Sequence, residues 1–143
     1  VVLNGVARLP EVPSGVPCHV MHLAGQRFFA LNDSGRHCSA SDLGGKTLHA
    51  YAGIGDPGRF FRHLKSLGLA VDEHPFPDHH QFQAADFLPA RGGVVLLTEK
   101  DAVKCAGLFE GEAWVLPVSA EIEADQPSLI ERILEKLNGC KTA

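Results

Sequence analysis

The sequence predicts an α/β fold: a three-layer α/β/α domain on a mainly parallel sheet, with a short two-stranded connector near the N-terminus. Three observations carry this prediction. Strand-like and helix-like segments alternate four times between Lys46 and the end of the chain, and parallel strands joined by helical crossovers place helices on both faces of a sheet. "GGVVLLT", ending at Thr98, is an uninterrupted apolar run of the kind a strand needs when both its faces are covered. The 143 residues are 45% hydrophobic and 21% charged, which suits one packed core and excludes an obligately disordered chain.

The elements follow in order. "VVLNG" has the character of a buried strand and begins without Met, so the expectation is a piece of a longer protein. Residues 6 to 20 carry Pro10, Pro13, Pro17 and Gly15, too many fixed or donor-lacking positions for a helix or inner strand; they predict a linker or irregular edge. "HVMHLAG" and "QRFFALN" predict two short strands joined at Gly25-Gln26, and "DSGRHCSASDLGG" predicts turns. Residues 1 to 45 are thus expected to be the end of a preceding lobe plus the connector, and 46 to 143 the α/β/α domain.

Within that domain "TLHAYAGI" predicts a strand, "PGRFFRHLKSLG" a helix with Phe60, Leu64 and Leu67 on one face, and "LAVDEH" a second strand. A short helix around Ala84 to Leu88 precedes the apolar strand. "EKDAVKCAGLF" supplies a further helix, "EAWVLPV" a strand and "PSLIERILEKLNG" a closing helix, its stripe of Leu129, Ile130, Ile133, Leu134 and Leu137 ended by Gly139.

Composition narrows the function. A net charge of -4 gives no overall attraction for nucleic acid. No apolar run approaches the roughly 20 residues that cross a bilayer, so the expectation is a cytoplasmic location. Cys18, Cys38, Cys105 and Cys140 lack a framework spacing and are expected to be reduced. With His19, His22 and His37 some of them could supply zinc donors, but the spacing matches no strong pattern and no metal site is predicted.

In a parallel sheet the strands' carboxyl ends share one rim, where ligands usually bind. Three loops should open there: "AGIGDPG", "PFPDHHQ" and "TEKDA". In the first, Asp56 and Pro57 suit a helix cap and first turn, and the alternative is a phosphate held on the free amides with Arg59 or Arg62 nearby. It is neither a Walker loop nor a full dinucleotide fingerprint. In "TEKDA", Thr98 caps a helix and Asp101 reciprocates, while Lys100 could orient a neighbouring loop. In "PFPDHHQ", Asp78 could cap a helix with Gln81 as its partner. Alternatively His79 could take a proton from a hydroxyl, since imidazole titrates near neutrality and a carboxylate can support it.

"LHAYAGIGDPGRFFRHLKSLG", "FPDHHQF" and "LLTEKDAVKC", in this order and spacing, resemble the C-terminal part of the tetraacyldisaccharide 4'-kinase family, the lipid A kinases of Gram-negative bacteria. The resemblance extends over essentially the whole chain. It implies an enzyme at the cytoplasmic face of the inner membrane that uses ATP and Mg2+ to phosphorylate the 4'-hydroxyl of tetraacyldisaccharide 1-phosphate. It further implies two α/β/α lobes. The N-terminal lobe holds the Walker lysine, the Mg2+ ligands and much of the lipid contact, leaving no cofactor or metal residues here. His79 matches the family's catalytic His, with Asp78 beside it; His80 stands at a more variable position. Asp56 replaces the family's usual Asn, and Gln83 stands where Ser or Thr is common. This chain alone is expected to be inactive. The competing readings are a non-catalytic phospholigand-binding or scaffold module, which would cap His79 and Asp78 into the fold, and a small hydrolase, for which no nucleophile elbow is present.

Overall fold

The computed structural model describes residues 2–4, 19–117, 119–122 and 134. The chain divides into two compact units, Ala24–Ser119 and the pair of segments Val1–Leu23 and Ala120–Ala143. Strands β1 (Val2–Asn4), β2 (His19–Ala24) and β9 (Ser119–Ile122) form a three-stranded sheet in the order β1-β2-β9, with β1 and β2 parallel. The expected proline-rich linker and closing helix lie outside the described residues, Leu134 excepted.

The larger unit holds a six-stranded sheet. Its strands are β3 (Arg27–Ala30), β4 (Asp33–Ser39), β5 (Leu48–Ala52), β6 (Asp72–Pro75), β7 (Val94–Thr98) and β8 (Glu112–Leu116), ordered β4-β3-β8-β7-β5-β6. The β8-β7-β5-β6 block is parallel throughout, and β3 runs antiparallel to both β4 and β8. This is the α/β fold the alternation predicts. The connector is different. β2 and β3 form where expected, but they belong to different sheets: β3 takes β8 and β4 as neighbours, and Phe28 is fully buried in the core. The segment expected to be turns is β4 followed by a 3-10 helix, Ala40–Leu43, because an edge strand in contact with solvent can be built from polar residues.

Alternation along the strands sorts side chains onto two faces. Leu48, Ala50 and Ala52 of β5 join Val94 and Leu96 of β7 and Trp114 and Leu116 of β8 on one face. Helix α1 (Pro57–Ser66) covers them with Phe60, Phe61 and Leu64, all buried. Tyr51, Val95, Leu97, Ala113 and Val115 point to the other face, under Phe87 and Ala90 of a 3-10 helix (Ala84–Ala90) and Ala102 and Cys105 of helix α2 (Glu99–Cys105). Pro89, which brings no amide hydrogen, lies inside the 3-10 helix. Burial pushes the Cys105 thiol up to about 12, the position of a packing residue rather than a reactive one. Cys38 and Cys105 are both free.

The outer strand β6 is held to β5 partly through its side chains. His74 stacks on Tyr51 with centroids 4.3 Å apart, and its Nε2 lies 3.2 Å from Nδ1 of the buried His49. Burial, then the neighbouring His49, holds His74 below its usual 6.5. The fold therefore favours the neutral ring, while the unfolded chain takes up a proton as pH drops below that value. Stability from this group is complete above about pH 6.5 and is lost as pH falls through the lowered folded value. In equilibrium denaturation, His74→Phe, which keeps an aromatic ring over Tyr51, should flatten the loss of stability as pH falls below 6.5; an unchanged slope there would remove His74 as its source.

Candidate active site at the sheet rim

Because β6, β5 and β7 are adjacent and parallel, their carboxyl ends lie on one rim. The β5 loop leads directly into α1. Asp56 is the N-cap, accepting from the Arg59 amide at 3.3 Å, and Pro57 occupies the first turn, where its missing N–H costs nothing. Arg62 lies 3.6 Å from the same carboxylate. The capping reading of "GIGDPG" therefore holds, with a carboxylate where the alternative required a phosphate.

Thr98 begins α2 as expected. Its hydroxyl accepts from the Asp101 amide at 3.2 Å and donates to Asp101 Oδ2 at 2.8 Å. Asp101 does more than reciprocate. Fully buried, its Oδ2 also accepts from the Gly53 amide at 3.0 Å, and Oδ1 from Lys104 Nζ at 3.3 Å. A buried carboxylate is stable only when its lone pairs are satisfied, and here those partners come from two loops of the rim. Gly53 fits for reasons of space: a Cβ there would stand 3.3 Å from His80 Cβ and 3.4 Å from both Asp101 Oδ1 and the Phe82 ring.

The β6 loop carries the two imidazoles, and they part company. His80 faces inward. Its ring packs 4.4 Å from Phe76 and 5.0 Å edge-on to Phe82, and Nε2 lies 3.0 Å from Asp86 Oδ2. Asp86 also accepts from the Gln83 amide at the start of the 3-10 helix, and these bonds, His80 first, hold its carboxyl below the usual range. His79 faces outward, its side chain 78% exposed. It occupies a turn closed by the His80 amide donating to the Pro77 carbonyl, with φ of 61°, a left-handed conformation uncommon for residues other than Gly, although His, like Asn and Asp, adopts it more often than most.

Asp78 does not cap a helix. The next helical segment begins at Ala84, and a tertiary partner takes the carboxylate instead: Oδ1 accepts from Lys100 Nζ and from the His79 amide, both at 3.0 Å. Oδ2 stands 3.6 Å from His79 Nε2, beyond hydrogen-bonding distance. The Lys100 bond chiefly, then the His79 amide and charges, holds Asp78 below the usual carboxylate range. His79 and Asp78 are thus exposed at the rim rather than absorbed into the fold, contrary to what a pure scaffold module requires.

Sequence reasoning passed over Gly45-Lys46-Thr47, a triplet with the lettering of a phosphate-loop ending. It leads into strand β5 instead of a helix, and Lys46 is spent on Glu112, 2.8 Å away. Among the described residues no three His, Cys, Asp or Glu side chains gather to hold a metal ion, magnesium included; Cys18 and the side chains of His19 and His22 lie outside those residues. None of the described helices is long and apolar enough to cross a membrane.

The family model described as Tetraacyldisaccharide-1-P 4'-kinase matches residues 3–138. The Tetraacyldisaccharide 4'-kinase of Dechloromonas aromatica is 48% identical over 146 residues, covering 100% of this chain and 42% of that protein. The Azoarcus sp. protein of the same name is 50% identical over 117 residues, covering 82% of this chain and 33% of that one. The crystal structure of the "apo" form of LpxK from Aquifex aeolicus in complex with ATP superposes with a TM-score of 0.51 at 30% identity, covering 89% of this chain and 37% of that chain. The chain spans about two-fifths or less of the length of these relatives.

The Asp101 junction yields a test. Asp101→Ala would leave the Gly53 amide and the Lys104 ammonium without their buried acceptor, at a cost of about 3 kcal/mol in chemical denaturation. Faster hydrogen exchange at the Gly53 amide should accompany it. A change within about 0.5 kcal/mol, as for an ordinary surface substitution, would deny Asp101 this role.

Proposed function

The chain belongs to the Tetraacyldisaccharide-1-P 4'-kinase family, and we propose that in the intact protein its rim serves transfer of the ATP γ-phosphoryl group to the 4'-hydroxyl of tetraacyldisaccharide 1-phosphate, with His79 as a catalytic residue and Asp78 as its support. The observation that carries this reading is the exposed His79 imidazole, held in a left-handed turn at a rim whose β5 and β7 loops are joined by the buried Asp101 carboxylate. Strain of this kind costs on the order of 1–3 kcal/mol and persists only where surrounding structure over-determines it.

The chemistry asked of these residues is modest. Phosphoryl transfer is mainly positioning and charge stabilisation of the transferred group. His79 orients the acceptor hydroxyl and takes its proton as the oxygen attacks phosphorus, and the Asp78 carboxylate 3.6 Å away stabilises the imidazolium that forms. ATP and Mg2+, which supply the phosphoryl group and the neutralising charge, belong in this reading to the N-terminal P-loop lobe of the intact protein. That lobe, the lipid A precursor and the cytoplasmic face of the inner membrane are its proposed partners and place. Residues 1 to 45 are proposed as the end of the first lobe with its connection, and 46 to 143 as the second lobe.

In the intact enzyme His79→Ala should lower turnover by roughly 10²- to 10⁴-fold, the range for losing a positioned acid-base group. His79→Gly should lose as much activity while the fold gains about 1 kcal/mol, because glycine relieves the positive φ. Near-wild-type turnover in either variant would take His79 out of the reaction.

The 143-residue chain by itself should hydrolyse no ATP above the buffer background, since the reading assigns the nucleotide and metal to the other lobe. Sustained phosphate release by the purified chain, abolished by its own point variants, would refute that division of labour.

A further inference from the structure

The outward turn that carries His79 is anchored unequally. On its inner side His80 is fixed by Asp86 and by the Phe76 and Phe82 rings. On its outer side the His79 ring makes no bond within hydrogen-bonding distance among the described residues, and the turn is restrained there through the Asp78 carboxylate and through Gln81 Nε2, which donates to the His79 carbonyl at 3.3 Å. That carboxylate accepts the His79 backbone amide on the same oxygen, Oδ1, that takes Lys100 Nζ from a residue 22 positions away on α2. Lys100 in turn is one residue from Asp101, whose buried carboxylate locks the start of α2 to the β5 loop. A continuous set of contacts therefore runs from the core through α2 to the backbone of His79.

From this geometry we propose that Lys100 is a positioning residue for the phosphoryl-transfer reaction: by gripping Asp78 it sets the His79 turn, and hence the direction in which the imidazole meets the acceptor hydroxyl. The proposal rests on the reading of His79 given above. The ion pair is half exposed at both ends, 50% for the Lys100 side chain and 41% for Asp78, so its contribution to global stability is small. Its effect is on where one side chain points. Misplacement of a reacting group by about 1 Å is enough to cost up to about 10²-fold in rate.

A lysine at a kinase site has an obvious alternative use, direct contact with a phosphate of the substrate or nucleotide. In this structure its ammonium is engaged by Asp78, and Lys100 bonds chiefly account for the low Asp78 titration. The two roles differ in how the losses combine. If Lys100 acts through Asp78, removing it from a protein that already lacks the carboxylate removes nothing further. If it touches substrate, the two losses add.

The test is a double-mutant cycle in the intact enzyme. Lys100→Met should lower kcat by about 10- to 100-fold with KM changed by no more than about twofold. Lys100→Arg should recover most of that loss, because a single bond to one carboxylate oxygen is within an arginine's reach. The pair Asp78→Asn with Lys100→Met should be no slower than Asp78→Asn alone. Carbon NMR of Asp78 gives a readout independent of catalysis: its midpoint should rise in Lys100→Met toward the usual 3.8. Additive losses in the cycle, a wild-type kcat for Lys100→Met, or an unmoved Asp78 midpoint would each overturn the proposal. His79→Ala, assayed alongside, separates the two failures: full activity there sinks the reading of His79, whereas a large loss there beside a silent Lys100→Met sinks only the positioning role.

Discussion

The rim depends on one buried carboxylate. Asp101 has no exposed surface, yet it carries a side chain that only a full set of donors makes stable in the interior. Those donors are the hydroxyl that starts its own helix, an amide from the loop after the neighbouring strand and a lysine one turn on. Satisfying the carboxylate therefore fixes three separations at once: the entry of α2, the path of the β5 loop and the spacing between them. Lys100 precedes Asp101 directly, so the same constraint decides which way the first exposed turn of α2 faces, and it faces Asp78.

Around that junction the structure separates what must be rigid from what must be available. Apolar side chains on both faces of β5, β7 and β8 form two clusters, one under α1 and the other under α2 and the Ala84–Ala90 helix, and neither uses a rim polar group. The consecutive imidazoles show the same separation on a smaller scale. His80 is spent on Asp86 and two phenyl rings and fastens the loop, and the turn's left-handed residue sends His79 the other way. Two identical side chains thus have different chemistry because one backbone angle puts them on opposite sides of the loop.

What the sequence reveals depends on how local the cause is. The apolar run of β7, the Asp56-Pro57 start of α1 and the Thr98 start of α2 are decided within a few residues, and each forms where composition and spacing put it. The convergence of three loops is legible too, because it follows from parallel strand order. Distant partners hide the rest. β2 and β3 look like a pair from their proximity, but β3 finds β8, more than eighty residues away, because a strand carrying Phe28 must sit against the core. β4 is concealed by its polar residues, which an edge strand tolerates. Asp78 followed by Gln81 fits a local capping pattern, and Lys100, invisible to any short window, takes the carboxylate first. No sequence pattern announces that His79 rather than His80 has the positive φ.

The case for His79 gains most from what the other rim groups are doing. The amides at the start of α1 face the Asp56 carboxylate, which discourages a phosphate there by charge as well as by occupancy. Arg62 is paired with that carboxylate, Lys100 with Asp78, Lys104 with Asp101 and His80 with Asp86. Each of these bonds shapes the rim, and each occupies a group that could otherwise meet a ligand. The His79 ring, by contrast, is turned to solvent with its carboxylate neighbour near enough to stabilise a positive charge but too far to take up its hydrogen-bonding capacity. A proton acceptor left unengaged beside Asp78, on a rim where Arg62, Lys100, Lys104 and His80 are each paired with a carboxylate, is what a lobe would need if its part in a reaction were to present one base to a hydroxyl, with the phosphate chemistry supplied from across the site.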